Sequence, residues 1–353
     1  IHNLLQRVED MAAEKQFKFN GFKKGNLEDD DTIFNGENIK TYEKDPPFMD
    51  ALKEKNVGNI FAGTKYHLAN SYYDEKIDYL FIDEAGQLSL ADLISIGNIA
   101  KNIVLIGDQN QLGQPIRGTH PNNSGQSILE YLLEGKDTIP EDKGIFLNKT
   151  YRLNSKINNF ISSNFYEERL ICDDRTDKRI IKFNNKSIIK KDGIHYIEMK
   201  HKNNVQTSIE EFEVVKSLMK QLIGVEFDDN GKKRKLTAND FLVISPYNTQ
   251  VNLLISKLEE EKIKNPRVGT IDKFQGQEAP IAIISMTSSD SDSLPRNKEF
   301  FFNRNRLNVA ISRAQVASII LFNPNLLDSS PKNLEQIKLM NNFFKFLNYK
   351  IKH

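Results

Sequence analysis

Apolar residues at the start of the chain recur at helical spacing, with Ile1, Leu4, Leu5, Val8 and Met11 on one face. The spacing predicts an opening amphipathic helix with no capping residue before it, as though the chain started inside an element. A polar stretch rich in Asp, Glu, Lys and Asn follows over residues 23–46, then a helix-like FMDALKEK and a strand-like NIFAGT at 59–64. Beyond these, short apolar runs alternate with amphipathic segments. The run DYLFI, read as a buried central strand, ends in Asp83 and Glu84; a helix is predicted from about Ser89; NIVLIGD at 102–108 is a second apolar run closed by an acid. A similar cycle begins with GIFLNKTYR at 144–152. It continues through the helical LNSKINNFISSNFYEE and SIEEFEVVKSLMKQLIG and the strand-like GIHYIEM, DFLVISPYNTQ, PRVGTIDKFQGQE, PIAIISM and ASIILFN, with a helix around Asn305 to Arg313. Alternation of this kind predicts βαβ units and parallel sheets in two α/β halves that meet near residue 148.

Composition narrows the classes. At 353 residues and 39% hydrophobic content the chain can fill two cores. Its 49 basic and 48 acidic residues nearly cancel, so a nucleic-acid-binding surface must be local rather than a property of the whole molecule. A single cysteine, Cys172, rules out an internal disulfide framework, and no apolar run is long enough to span a membrane, which predicts a soluble cytoplasmic protein. The six histidines form no short metal-ligand spacing with Cys172, and neither a nucleophile elbow nor a dinucleotide-type glycine fingerprint occurs. The segment DDNGKKRKLTAND reads as a solvated hairpin or a helix-to-strand connection.

Paired carboxylates after an apolar strand occur in many α/β proteins and also serve to start helices. In a nucleotide-hydrolysing fold the first acid would hold Mg²⁺ through water and the second would position the attacking water. Further strand-end motifs in a fixed order raise DEAG above the simpler reading: GDQNQL (107–112), TYR (150–152), SPYNTQ (245–250), VGTIDKFQGQE (268–278) and RNRLNVAISRA (304–314). Together they resemble the motifs of superfamily 1 helicases, in the SF1B branch that includes the nonsense-decay and Okazaki-fragment-processing helicases. The six motifs span residues 83–314. FIDEAGQLSLADL, GTHPNNSGQSILEYLL, IPEDKGIFLNKTYRLN and FFNRNRLNVAISRA resemble more closely still the helicase part of RecB-like nuclease/helicase fusions, and this match covers essentially the whole chain. One departure is plain: no G-x-x-x-x-G-K-[ST] phosphate loop, the Walker A motif, occurs in these residues.

The resemblance implies two RecA-like P-loop NTPase domains with mainly parallel sheets. These are a first, incomplete one over 1–147 carrying motifs II and III without Walker A, a second over 148–330 with motifs IV to VI, and a C-terminal helix over 331–353. ATP would lie between them. By resemblance Asp83 completes the Mg²⁺ shell, Glu84 orients or deprotonates water, and Gln87 bonds that water or the γ-phosphate, unless it is a solvent-facing residue at a helix start. Gln111 senses the γ-phosphate, unless Asp108 and Gln111 only cap a turn. Arg152 and Arg313 stabilise charge on the transferring phosphoryl group, the other use of such arginines being surface ion pairs. Tyr151 stacks on the base or is a half-buried interface residue, Glu278 accepts from ribose hydroxyls, and Gly276 lets the backbone approach closely. Thr64, Ser245, Tyr247 and Thr270 hold single-stranded DNA, or RNA, by its sugar-phosphate backbone at the opposite ends of the sheets, with stacking on Tyr247.

The sequence therefore points to the C-terminal helicase portion of an ATP-dependent DNA helicase. It would move 5′ to 3′, with a Walker A segment and a nuclease upstream in the same parent. The competing expectation is a catalytically silent nucleic-acid-binding module that lacks the phosphate-loop lysine.

Overall fold

The computed structural model describes residues 1–43, 58–113, 121, 124–185, 187–290 and 303–328, with scattered positions between 334 and 345. The predicted FMDALKEK helix lies outside these residues, as does most of the expected C-terminal helix. Two compact units divide the chain. One comprises Ile1–Gly107 with Pro115–Ile128, the other Asp108–Gln114 with Leu129–His353. The division thus falls between Gly107 and Leu129 rather than at 147/148, and the motif after the second acid-tipped strand belongs to the second unit.

In the first unit, helix α1 (His2–Lys15) buries Leu5 and Ala12 against Phe19, Phe34 and Ile39. Three parallel strands lie in the order β2-β1-β3: β1 Phe19–Lys24, β2 Ile39–Tyr42 and β3 Gly58–Ala62. The second falls inside the polar stretch over 23–46, and the first runs into its start. Gly21 is required there, because a Cβ would stand 2.3 Å from Ile39 Cγ1. Buried Glu9 accepts from the backbone N–H groups of Asn38 (2.8 Å) and Ile39 (2.7 Å), which fixes α1 to the start of β2. Beyond the short helix α2 (Lys65–Leu68) comes a βαβ unit. Strands β4 (Ile77–Ile82) and β5 (Ala100–Leu105) pair in parallel around α3 (Leu90–Gly97), which Ser89 caps by accepting from Asp92 N at 3.1 Å. The expectation of a fully buried β4 is corrected. Leu80 and Ile82 face the core, but Tyr79 and Phe81, on the alternate face, are 58% and 64% exposed.

After helix α4 (Ile128–Leu133), the second unit begins with the short parallel pair β6 (Lys149–Thr150) and β7 (Ile171–Cys172) around α5 (Ser155–Phe165). Its main sheet is wholly parallel, in the order β13-β12-β14-β15-β9. The strands are β9 Gly193–Glu198, β12 Phe241–Ile244, β13 Val268–Gly269, β14 Ala279–Ser285 and β15 Ala314–Phe322. Every residue of β12 and β14 is buried, as expected of parallel strands covered on both faces. One apolar cluster joins α5 and α8 (Arg304–Ile311) to the sheet; the other joins α6 (Ile209–Leu222) and α7 (Asn248–Glu260) to it. The charged segment after α6 is a hairpin, as one of its two readings had it. Strands β10 (Glu226–Asp229) and β11 (Lys232–Lys235) turn at Asn230 and Gly231, both with positive φ, and β8 (Arg179–Ile181) completes an antiparallel sheet. The fold is α/β with mainly parallel sheets. Among the described residues no helix is long and apolar enough to cross a membrane.

Candidate nucleotide and nucleic-acid site

The acids Asp83 and Glu84 follow β4 directly and are exposed. Glu84 has φ 55°, the left-handed region that non-glycine residues seldom occupy. Its N–H donates to Asp83 Oδ1 at 3.0 Å, and Gln87 Nε2 lies 3.5 Å from Glu84 Oε2. The strand end thus presents two carboxylates and an amide together. Among the described residues no group of three or more His, Cys, Asp or Glu is placed to hold a metal. An exposed carboxylate pair of this kind suits a hard cation that keeps most of its water and takes the rest of its ligands from phosphate.

Gln111 lies on a loop held entirely within the second unit. Asp108 Oδ1 accepts from Asn110 N (2.9 Å), and Asp108 Oδ2 accepts from Gln111 Nε2 (3.0 Å) and Tyr166 Oη (2.6 Å), so these residues do cap a turn here. Burial and the nearby Asp108 carboxylate hold the Tyr166 phenol well above its ordinary value, so it remains a donor. Residues of α8 grip the same loop: Asn305 Nδ2 donates to the carbonyls of Gln109 (2.9 Å) and Gln111 (2.8 Å), and Asn308 Nδ2 to that of Asn110 (2.8 Å). Arg304 makes a bidentate pair with Asp137 at 2.6 and 2.8 Å, and Asp137 O in turn accepts from Asn110 Nδ2 at 2.8 Å. Sequence reading quoted RNRLN as a motif but gave no role to Arg304, Asn305 or Asn308. The available signal was a polar residue, Asn308, inside the apolar run Leu307 to Ile311.

At the N-terminal edge of the main sheet Glu278 precedes β14 and Arg313 precedes β15. Arg152 Nε donates to Glu278 Oε2 (2.5 Å) and its Nη1 to Ser312 O (3.3 Å), while Gln315 Nε2 donates to Glu278 Oε1 (2.7 Å). Burial works to raise the Glu278 carboxyl, but Arg152, with Gln315 and Arg179, holds it below its ordinary value. Both Glu278 oxygens are therefore engaged, and a ribose hydroxyl would have to compete with Arg152. Tyr151 is 57% exposed, with the Arg175 guanidinium 5.2 Å and the Lys149 ammonium 5.9 Å from its ring centre. Gly276 has φ +73° with open space where a Cβ would stand, so backbone conformation, not close approach, requires the glycine. Arg313 differs from expectation. Only 2% exposed, it donates to the carbonyls of Val309 (3.1 Å), Phe274 (3.2 Å) and Gln277 (3.1 Å), so in this structure its guanidinium ties the segment before β14 to α8.

At the opposite, C-terminal edge stand Ser245, Tyr247 and Thr270. Thr270, partly exposed, follows β13, and in the first unit Thr64 is exposed after β3. Ser245 and Tyr247 face inward instead. Ser245 Oγ lies 3.1 Å from Thr287 Oγ1, and Tyr247 Oη and Ser288 Oγ are 3.2 Å apart. Both are buried in the unit, so the stacking face expected of Tyr247 is occupied by core packing.

A family model described as an AAA domain matches residues 124–325, more than half of the chain. The chain belongs to the AAA domain family. Relatives of this AAA domain include dna2 of Schizosaccharomyces pombe, a DNA replication ATP-dependent helicase/nuclease that is 29% identical over 303 residues, covering 78% of this chain and 20% of its own length. The ATP-dependent helicase MJ0104 of Methanocaldococcus jannaschii is 30% identical over 316 residues (82% and 43%). DNA polymerase alpha-associated DNA helicase A of S. pombe is 28% identical over 295 residues (78% and 42%). The chain spans less than half the length of each. Among solved structures, an arterivirus nonstructural protein 10 helicase in complex with DNA aligns over 88% of this chain and 49% of its own at 14% identity, with a TM-score of 0.41, too low to carry weight. The superfamily 1 resemblance stands on the family and its helicase relatives, and this AAA domain is a helicase-type module.

Proposed function

We propose that this chain is the motor portion of an ATP-dependent helicase that moves along single-stranded DNA, 5′ to 3′ by resemblance. We further propose that its phosphate loop comes from another segment of the same parent, which also carries a nuclease. The observation that carries the reading is the arrangement around one parallel sheet. Arg152, Glu278 and Tyr151 gather at its N-terminal edge, while Thr270 and the loops after β9, β12 and β14 lie at its C-terminal edge, roughly 20 Å away along a seven-residue strand. If the first set meets nucleotide and the second the strand, one sheet links hydrolysis to movement.

The acids after β4 suit the cation of Mg²⁺-ATP; when bound, the nucleotide would supply the phosphoanhydride and that cation would neutralise its charge. Asp83 would hold that cation through water. Glu84 would accept the proton of the attacking water at its carboxylate, with Gln87 orienting the same water. Arg152 would release Glu278 to meet developing negative charge with its fork of donors. Arg313, as placed here, would act through the segment it ties down. Thr64 and Thr270 would offer hydroxyls to the sugar-phosphate backbone.

The test is binding of fluorescently labelled oligo(dT), a mixed single strand and a duplex to the 353-residue chain. The expected result is tighter binding of single strands, steep weakening with salt and little dependence on sequence. Absence of single-strand binding, or a strong preference for one sequence at fixed salt, overturns the reading.

A further inference from the structure

Three loops meet at the C-terminal edge of the main sheet: Met199–Ser208 after β9, Ser245–Tyr247 after β12 and Met286–Ser289 after β14. Glu211, in the first turn of α6, is fully buried among them. Its two oxygens accept from Thr287 N at 2.9 and 3.0 Å, Oε2 also accepts from Ser285 Oγ at 2.5 Å, and Oε1 lies 3.2 Å from His201 Nε2.

The residue it holds is strained. Thr287 is β-branched yet has φ +71°, and Ser288 N donates back to Met286 O at 2.7 Å, which closes a γ-turn of the rare, positive-φ kind. Such a conformation persists only where its surroundings over-determine it, and strain of this sort concentrates at sites that act on something.

The turn in turn fixes the loop after β9. Ser288 Oγ donates to Val205 O (2.6 Å), Ser289 N to Asn204 O (2.8 Å) and Asn204 N to Ser289 Oγ (2.9 Å), while Ser289 Oγ and His201 Nδ1 are 2.7 Å apart. Asn323 Nδ2 closes the set on His201 O at 2.7 Å. Between these attachments Lys200, Lys202, Asn203 and Gln206 are exposed, and Gln206 is tied to the start of α7 by Thr249 Oγ1 donating to its carbonyl at 2.9 Å. A loop that only joined a strand to a helix would need none of this. The arrangement fixes the backbone that carries two lysines and two amides at the sheet edge, where β12 and β14 flank the point at which strand order reverses, the usual place for a ligand on an open parallel sheet.

We propose that the loop Met199–Ser208 is a further gripping element for the sugar-phosphate backbone of single-stranded nucleic acid, with Lys200 and Lys202 as phosphate contacts and Glu211 as the positioning residue that holds the loop through Thr287 and His201. The proposal rests on the helicase reading and adds to it a surface that none of the six motifs contains.

The experiment measures oligo(dT) affinity over a range of salt for the wild-type chain, Lys200→Ala, Lys202→Ala, Glu211→Gln and a control that changes Lys232 and Lys233 of β11 to Ala. Each loop lysine lost should weaken binding several-fold and lower the slope of log affinity against log salt by about 0.7, the single-strand value for one phosphate contact, while the β11 control changes neither. Glu211→Gln should lower affinity and slope although no surface charge has been removed, and should speed hydrogen exchange at the Thr287 and Ser288 amides. If wild type does not bind oligo(dT), the helicase reading fails and this proposal with it. If wild type binds but the lysine variants keep its slope, or the β11 variant loses slope instead, the strand-gripping loop alone is overturned. The exposed lysines keep the test decisive even if Glu211→Gln does not fold.

Discussion

Asn308→Ala removes one of the two asparagine side chains by which α8 holds the Gln111 loop, and its consequence can be worked from its contacts. Asn308 is buried; its Nδ2 donates to Asn110 O at 2.8 Å and to Tyr166 Oη at 3.1 Å. Its Oδ1 makes no hydrogen bond among the described residues, so losing that atom costs little. Truncation leaves the carbonyl of Asn110 without this donor in a buried place, at about 1–3 kcal/mol, and removes the weaker contact to Tyr166, at about 0.5–1.5 kcal/mol. A total near 2–4 kcal/mol corresponds to roughly 30-fold or more in local opening, since about 1.4 kcal/mol is tenfold. Hydrogen exchange read peptide by peptide should show residues 109–112 exchanging at least that much faster. For a unit of about 150–250 residues the unfolding midpoint should fall by about 4–16 °C. Exchange within threefold of wild type, with an unchanged midpoint, would mean that the Asn308 contacts do not hold the loop and that Asn305 and Asp108 suffice.

Two further outcomes follow from the N-terminal edge of the sheet. The Glu278 carboxyl is held below its ordinary value by Arg152, so its contribution is present above the unfolded-state pKa near 4.3 and is lost as pH falls through the lower folded value. The melting midpoint of Glu278→Gln should accordingly fall less steeply with acid than wild type, and parallel curves would refute the pairing. Gly276→Ala should destabilise by about 1–2 kcal/mol from its positive φ alone, because a Cβ there meets nothing within 4 Å. A larger loss in chemical denaturation would point to a steric clash that this structure does not contain.

Strands covered on both faces were the legible part of the fold. Phe241–Ile244 reads as an uninterrupted apolar run and Ala279–Ser285 and Ala314–Phe322 as mostly apolar ones, because the sheet lies between two apolar clusters. The same rule misled at β4, where Tyr79 and Phe81 belong to an open face that residue type alone does not reveal. Strands β1 and β2 were hidden because two of their inward positions are Lys23 and Thr41, which pattern reading counts as polar although both are buried. Among site residues the acids after β4 and Tyr151 are exposed where the motifs place them, but Ser245, Tyr247 and Arg313 face inward, a choice made by tertiary packing rather than by local spacing. Glu211 gave no sign beyond an acid at a helix start, since the positive φ of Thr287 that gives its carboxylate a purpose is not written in residue type.

The central claim, that this chain carries the hydrolytic acids of a strand-driven motor, is met most directly by steady-state ATP hydrolysis measured with and without single-stranded DNA. Three proteins should be compared: the 353-residue chain, a longer parent that joins it to a phosphate loop, and the same parent carrying Glu84→Gln. The account predicts turnover near background for the chain alone and strong stimulation of the parent by the strand. Glu84→Gln should all but abolish that stimulation while leaving nucleotide binding intact, because the amide keeps the shape of the side chain but cannot accept the proton. Robust stimulated turnover by the chain alone, or wild-type turnover in Glu84→Gln, would contradict it.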